Sequence, residues 1–383
     1  MIILLSLLTL TYCLLTLWLW YHWQCIRVFV PRQDQKTSTP ATVVIPVRNE
    51  ADNIRQLLSD LDKQCWPDGT PLVPKQLEII VVNDHSEDNT EALVEQFEPS
   101  CFTLKQCKLQ LPDSFSGSHK KLALSQAIAQ ASGEVIITTD GDCRVKPQWV
   151  ATMLLYMQQQ DAALVSAPVT LESENNLFQR LQTIEFASLI GTGAACMQAG
   201  QPNMCNGANL AFSRKIYQQV GGYEGSMHIP SGDDEFLLQK IFCKYPSRIS
   251  FLKSQQAIVQ TEAQPDLKSF YHQRKRWAGK WKLHKKISTA LLALFIFGFH
   301  AMLLFAATLT LQNAFPPALF CGLLLLKAGV EFLLLSSVLR NLDKKLHMPN
   351  FMLLQLIYSA YAVFFGIVAN FGGYRWKARY YTG

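Results

Sequence analysis

The chain has 383 residues, 49% of them hydrophobic and 17% charged, with a formal net charge of +6. It is too apolar for an ordinary soluble enzyme and too polar for a protein lying wholly within a membrane, so a mixed architecture is expected. Its ten cysteines form no CxxC pair and no ligand spacing with histidine, which fits a reducing compartment and argues against a disulfide scaffold or a zinc site.

Residues 1–24, "MIILLSLLTLTYCLLTLWLWYHWQ", carry no Lys, Arg, Asp or Glu. About 20 apolar residues cross a bilayer core, so this stretch reads as a transmembrane helix. A cleaved signal peptide fits less well, because there is no basic leading region, the apolar run is too long and no small-residue cleavage site follows. Residues 25–40 form a linker, and residues 41–265 have the polar content of one globular domain.

Within that domain "ATVVIPV" (41–47), "QLEIIVVND" (76–84), "CKLQL" and "GEVIITTDGD" read as strands. They alternate with helix-favouring "EADNIRQLLSDLDKQ", "SEDNTEALVEQF", "HKKLALSQAIAQA" and "PQWVATMLLYMQQ". Continuously apolar strands alternating with helices predict an α/β fold with a parallel sheet covered on both faces. Such sheets bind ligands at the carboxyl ends of their strands. Asn49 and Glu50 follow the first strand, Asp84 ends the second, and Asp140 and Asp142 end a later one. Helix capping, by Ser86 or Asp88 for instance, explains one such end well and three together poorly.

After about residue 165 the alternation fades. "NNLFQRLQTIEFASLIGTG" reads as a helix with Leu177, Leu181 and Ile184 on one stripe. In "SGDDEFLLQKI", Ser231 or Asp233 can cap a helix, yet three consecutive acids exceed what a cap requires.

Residues 266–286 form a basic stretch, with eight Lys/Arg and no acid between Lys268 and Lys286 and with Trp277 and Trp281 interleaved. Lying just before an apolar segment, it reads as an interfacial helix on a bilayer surface and not as a nucleic-acid patch. Three further transmembrane candidates follow, 287–311, 317–339 and 351–371, the middle one holding Lys327 and Glu331 at pairing distance along a helix. The basic residues, with Arg27 and Arg32 beside the first helix, place the domain in the cytoplasm at an inner or plasma membrane. Four full crossings would then put "GYRWKARYYTG" outside despite Arg375, Lys377 and Arg379, so one apolar segment is expected to be re-entrant or interfacial.

Two carboxylates flanking a glycine suit a hard divalent cation, Mg²⁺ or Mn²⁺, shared with substrate phosphates. Alone, D-x-D is a weak signal. At a strand end among other polar strand ends it indicates a nucleotide-diphosphate site. The absence of G-x-x-x-x-G-K-[ST] and of a G-x-G-x-x-G opening a helix argues against P-loop and dinucleotide enzymes.

From about residue 40 to residue 280 the chain resembles the membrane-bound family 2 glycosyltransferases, inverting enzymes of the GT-A fold, a Rossmann-like mostly parallel sheet. Seven segments occur in the family's order: "VVIPVRNEADNI", "VVNDHSEDNT", "HKKLALSQAI", "TTDGDCRVKPQW", "CNGANLAFSR", "SGDDEF" and "QRKRW". The resemblance implies a GT-A domain with one N-terminal and about three C-terminal transmembrane helices. It implies that Pro46, Asn49, Glu50, Asp84, Lys120, Asp140, Gly141, Arg276 and Trp277 bind a nucleotide-diphosphate sugar, with the metal on Asp142 and Asp140. Gly207, Asn209, Asp233 and Gln273 fall on the acceptor side, and Asp234 matches the catalytic base by position, with Asp233 standing where a Glu is common; the Asp-Asp-Glu run at 233–235 leaves the base between Asp233 and Asp234. Asn83 departs from an acid common in relatives.

The resemblance covers ceramide glucosyltransferases and processive polysaccharide synthases alike. Four apolar segments are few for threading a polymer, which favours transfer of one sugar from a UDP-sugar to a membrane lipid over polysaccharide synthesis. A non-catalytic sugar-nucleotide-binding partner protein is the reading from another class; the acids retained at every strand end argue against it.

Overall fold

The computed structural model describes residues 1–113, 115, 117–172, 174–279, 287–377 and 379–381, with the backbone alone for 287–289, 375, 376, 380 and 381. Trp281 and the rest of the basic stretch from 280 to 286 lie outside the described residues.

The β-branched runs become central strands of a seven-stranded sheet, β1 (Ala41–Val47), β2 (Leu77–Asn83) and β4 (Val135–Thr138), while β3 (Thr103–Lys108) lies at its edge and ends at Lys108, within the expected "CKLQL", the half-exposed edge position needing no continuous apolar run. β1 pairs in parallel with β2 and β4, and β2 with β3. Helices α2 (Ile54–Leu61), α3 (Thr90–Glu95), α4 (His119–Gln130) and α5 (Trp149–Gln159) connect or follow them. Every residue of β2 and β4 is buried, as expected of strands covered on both faces. Pro46 is tolerated in a central strand because pairing of β1 with β4 ends at Val44.

The sheet is not purely parallel. Its order is β3-β2-β1-β4-β8-β6-β9, where β6 is Leu164–Ser166, β8 Leu210–Ser213 and β9 Ile249–Phe251, and β8 runs antiparallel to both neighbours. A second small sheet joins β5 (Cys143–Arg144), β7 (Val169–Leu171) and β10 (Val259–Thr261). Strand order reverses about β1, so the crevice between the carboxyl ends of β1 and β4 is the place the topology offers a ligand.

Helix α1 (Ile2–Cys25) ends against the domain: Trp23 is fully buried, and Lys253 lies over its ring at 4.2 Å while donating to its carbonyl. Helix α6 (Leu177–Gln198) is capped by the Asn176 side chain and packs against α1 and α11 (Pro317–Asn341). Gly191 is needed there, because a Cβ would come within 2.6 Å of Val338. Helices α7 (Arg214–Gln219), α8 (Asp233–Lys244), α9 (Leu267–Ala278), α10 (Ile287–Leu311) and α12 (Met348–Val368) complete the set.

Helices α1, α11 and α12, and α10 from Ala290 on, are long and apolar enough to cross a membrane. Lys327 and Glu331 pair at 2.9 Å as the sequence suggests, joined by Gln355 and the Tyr12 hydroxyl. The last helix begins at Met348, not residue 351, because Pro349 sits in its first turn, where no donor is lost. Both of its ends meet the domain. Phe351 and Leu354 join the main core, while Tyr361 bonds Glu185 of α6 and Phe365 lies against Phe270 and Tyr271 of α9. The chain after α12 therefore returns to the domain as a hairpin, β11 (Tyr374–Trp376) and β12 (Arg379–Tyr381).

Candidate active site

The loops after β1 and β2 are stitched together. Asn49, with φ +53°, accepts from the Glu87 amide at 2.8 Å, and its own amide donates to the Ser86 hydroxyl at 3.1 Å. Asn83 donates to Glu91 at 3.0 Å and accepts from the Ser86 amide at 2.9 Å. Neither Ser86 nor Asp88 is the N-cap of α3, a position held by Asn89 without a side-chain bond; Asp88 accepts instead from the Thr90 amide and hydroxyl and from Ala51 across the rim.

Asp84 lies just past β2, nearly buried, and both its oxygens are engaged: Oδ1 receives His119 at 3.0 Å and Arg379 at 2.9 Å, and Oδ2 receives Arg379 as well. Burial pushes its carboxyl up, but Arg379 and His119 more than offset this and hold it below the usual carboxylate range. Neither partner is among the site residues expected from the sequence, where Arg379 enters only as a basic residue of the tail. His119 adjoins Lys120 in the "HKKLALSQAI" segment and was within reach of inspection; Arg379 is 295 residues away and was not.

The D-G-D turn follows β4. Gly141 passes so close to the first loop that a Cβ would meet Glu50 Cγ at 2.9 Å and Val47 Cγ1 at 3.0 Å. Lys120, on the first turn of α4, donates to Asp140 at 2.7 Å and stands 3.5 Å from Asp233. Burial would lower its pKa; Asp140, Asp233 and Asp234 instead raise it. Asp140 is lowered against its own burial by Lys120, Lys377 and Arg276. Asp142 goes the other way. Burial, then Asp140 and Glu50, push it up to about 6, with Lys377 opposing.

Asp142 makes no ion pair among the described residues. A half-buried carboxylate that forms no ion pair, beside a second carboxylate, is the condition a hard divalent ion relieves, so Asp140 and Asp142 fit Mg²⁺ or Mn²⁺. No cluster of three His, Cys, Asp or Glu ligands converges among the described residues.

The acidic triplet begins α8, and its cap differs from expectation. Neither Ser231 nor Asp233 caps it; Gly232, at φ +79°, occupies the N-cap without a side-chain bond, and Asp233 is the first helical residue. The left-handed glycine turns the triplet toward the rim. Asp234 Oδ2 accepts from the Gly207 amide at 3.1 Å, and Oδ1 from the Glu235 amide at 2.8 Å. Lys121, fully buried, donates to the carbonyls of Ser226 and Ile229 and so holds the loop leading to Gly232.

Gly207 lies against Asp233, Asp234 and Lys120: a Cβ there would be 3.0 Å from Asp233 Oδ2 and 3.7 Å from Lys120 Nζ. Gly207→Ala is expected to lower kcat by about a hundredfold through displacement of the acids, with nucleotide affinity nearly kept; titration calorimetry beside initial rates checks both. Asn209, expected on the acceptor side, is instead turned into the core. It accepts from the Trp149 indole at 2.9 Å and donates to the Pro168 and Ala257 carbonyls, with no exposed surface. Its amide ties β8 to the second sheet's loops.

On α9, Gln273 accepts from Arg274, Trp277 stacks on Phe186 of α6 with ring centroids 5.9 Å apart, and Arg276 acts electrostatically on Asp140. The helix therefore reaches the Asp140 end of the rim while anchored on α6 and α12.

A glycosyl transferase family group 2 model matches residues 135–369, and a glycosyl transferase family 2 model matches residues 42–221. The chain belongs to the family 2 glycosyltransferases. Among curated relatives, this glycosyltransferase is 26% identical over 268 residues to the probable glycosyltransferase YdaM of Bacillus subtilis, covering 67% of this chain and 59% of that one. It is 23% identical over 203 residues to a poly-beta-1,6-N-acetyl-D-glucosamine synthase of Staphylococcus epidermidis, covering 52% and 46%. The chain thus spans less than two thirds of the length of these relatives. Among solved structures, the mannosyltransferase PcManGT from Pyrobaculum calidifontis, in complex with GDP-Man and Mn²⁺, aligns over 96% of this chain and 97% of its own with a TM-score of 0.56 at 17% identity. That likeness confirms the GT-A fold.

Proposed function

We propose that this protein is a membrane-bound inverting glycosyltransferase that moves one sugar from a nucleotide-diphosphate sugar, a UDP-sugar, to a hydroxyl of a membrane lipid. One observation carries the reading: Asp140, Lys120, Gly207, Asp233 and Asp234, drawn from four separate segments, converge at the strand-end rim. The rim lies beside α9, which packs on the apolar α12.

In this mechanism Asp84 binds the nucleoside, with Pro46, Asn49 and Glu50 shaping that end of the crevice. Asp140 and Asp142 would hold a divalent cation, which would supply charge neutralisation for the departing diphosphate. Arg276 adds positive charge on the same side. Asp234 accepts the proton of the acceptor hydroxyl as that oxygen attacks the anomeric carbon from the face opposite the leaving group. Lys120 holds Asp140 and Asp233 in place. Trp277 and Gln273 border the acceptor mouth.

The return of α12 to the domain at both ends supports reading it as the interfacial segment, with α1, α10 and α11 crossing and the domain and tail together on the cytoplasmic side. Three crossings favour a lipid acceptor. Polysaccharide synthesis remains the second reading, supported by the poly-beta-1,6-N-acetyl-D-glucosamine synthase relatives.

The test is transfer of radiolabel from a panel of UDP- and GDP-sugars to total membrane lipids by the protein in nanodiscs with Mn²⁺. Label in one discrete lipid is the expected result. Label growing into polymer overturns the lipid reading, and nucleotide binding without transfer, unchanged in Asp234→Asn, overturns catalysis.

A further inference from the structure

The hairpin after α12 lies in the donor crevice. Arg379 grips both oxygens of Asp84, and Lys377 is bonded to Glu50 Oε1, 327 residues away along the chain. The backbone is tied in too: Arg48 donates to the Lys377 carbonyl at 3.2 Å and, with its other nitrogens, to the carbonyls of Asp84 and His85 and to Glu87. Lys377 sits at φ +47°, the tight turn that lets its amine and the Arg379 guanidinium enter the crevice one behind the other. Its charge reaches Asp140 and Asp142 as well as Glu50.

These two cations stand where, on the functional reading above, two parts of the donor complex belong. A guanidinium on Asp84 presents a row of N–H donors to the carboxylate, as a nucleobase edge or ribose hydroxyls would. An ammonium among Glu50, Asp140 and Asp142 offsets the acidic charge that a metal-diphosphate complex would otherwise balance. Both oxygens of Asp84 are already engaged by Arg379. Both groups are at most half exposed, so neither contact is a loosely solvated surface pair.

We propose that the C-terminal hairpin is a built-in occupant of the donor site, with Arg379 on Asp84 and Lys377 on Glu50, and that nucleotide and metal bind by displacing it. The proposal rests on assigning the donor to this crevice. Displacement makes donor affinity the difference between the affinity for the open crevice and the hold of the tail, so weakening the tail strengthens binding. Whatever draws the tail elsewhere, such as an anionic bilayer surface meeting its basic residues, would switch the enzyme on.

The experiment uses the full chain in nanodiscs, the Lys377→Ala/Arg379→Ala variant, and a chain ending at Gly373 as an independent way of removing the same contacts. Binding of UDP and GDP with Mn²⁺ is measured by calorimetry, and tryptic cleavage after Lys377 and Arg379 is followed in the unaltered chain with and without nucleotide. Both altered chains should bind nucleotide about tenfold more tightly. Nucleotide with Mn²⁺ should speed tail cleavage in the unaltered chain. Equal or weaker binding by both altered chains, or protection of the tail by nucleotide, overturns the proposal while leaving the donor site standing. Failure of every chain to bind either nucleotide overturns the donor-site reading and this proposal with it.

Discussion

Asp234→Asn is expected to lower kcat about a thousandfold while leaving nucleotide affinity within about twofold. The carboxylate is oriented by the Gly207 and Glu235 amides, which fix the direction of the group. Asp233, one residue earlier, stands 3.5 Å from the Lys120 ammonium and serves to keep that lysine between two acids. A general base must be aimed at the acceptor hydroxyl, and the Asp233 carboxylate is directed at Lys120 instead. Asp233→Asn is therefore expected to weaken donor binding and slow turnover by roughly tenfold, through Lys120 and Asp140, and not to abolish transfer. The measurement is initial rate at saturating donor, beside calorimetric nucleotide binding, for both variants. Loss of transfer in Asp233→Asn with activity surviving in Asp234→Asn would exchange the two roles.

Much of the rim was legible because each part of it is short in sequence. A β-branched run ending in Asp84, or in Asp140-Gly141-Asp142, states both the strand and the place where it stops, and the sheet's parallel order then aligns those stops. What eluded the sequence depends on relations between distant segments. The antiparallel insertion of β8 turns the Asn209 side chain inward, and no local pattern distinguishes an inward from an outward asparagine in "CNGANLAFSR". The cap of α8 was misplaced because Gly232 in a left-handed conformation substitutes for a side-chain cap. In sequence, "GYRWKARYYTG" bears only on membrane sidedness; Lys377 and Arg379 belong to the crevice, and only the folding back of α12 makes that visible.

The largest effect on stability is expected at Glu185, in the joint between domain and apolar helices. Its carboxylate receives Arg274 at 2.5 Å and the Tyr361 hydroxyl at 2.9 Å, which links α6, α9 and α12 at one point. Arg274 is 4% exposed, its guanidinium lying over the Phe270 ring at 4.6 Å and the Trp277 ring at 4.3 Å. Glu185→Ala leaves that guanidinium buried between aromatic faces without its counter-charge, a loss of about 3–5 kcal/mol that lowers Tm by about 10 °C. Removing both charges differs in kind from removing one. Glu185→Ala/Arg274→Met takes away the uncompensated charge and keeps apolar volume between the rings, so it should recover most of the lost stability. Transfer activity should not recover in parallel, since α9 carries Gln273, Arg276 and Trp277 and the ion pair sets its angle to the rim. Thermal unfolding in nanodiscs, with transfer rates on the same samples, separates the two effects. A single variant as stable as the parent would mean that solvent or lipid headgroups already balance Arg274, and that α9 is held by its aromatic contacts alone.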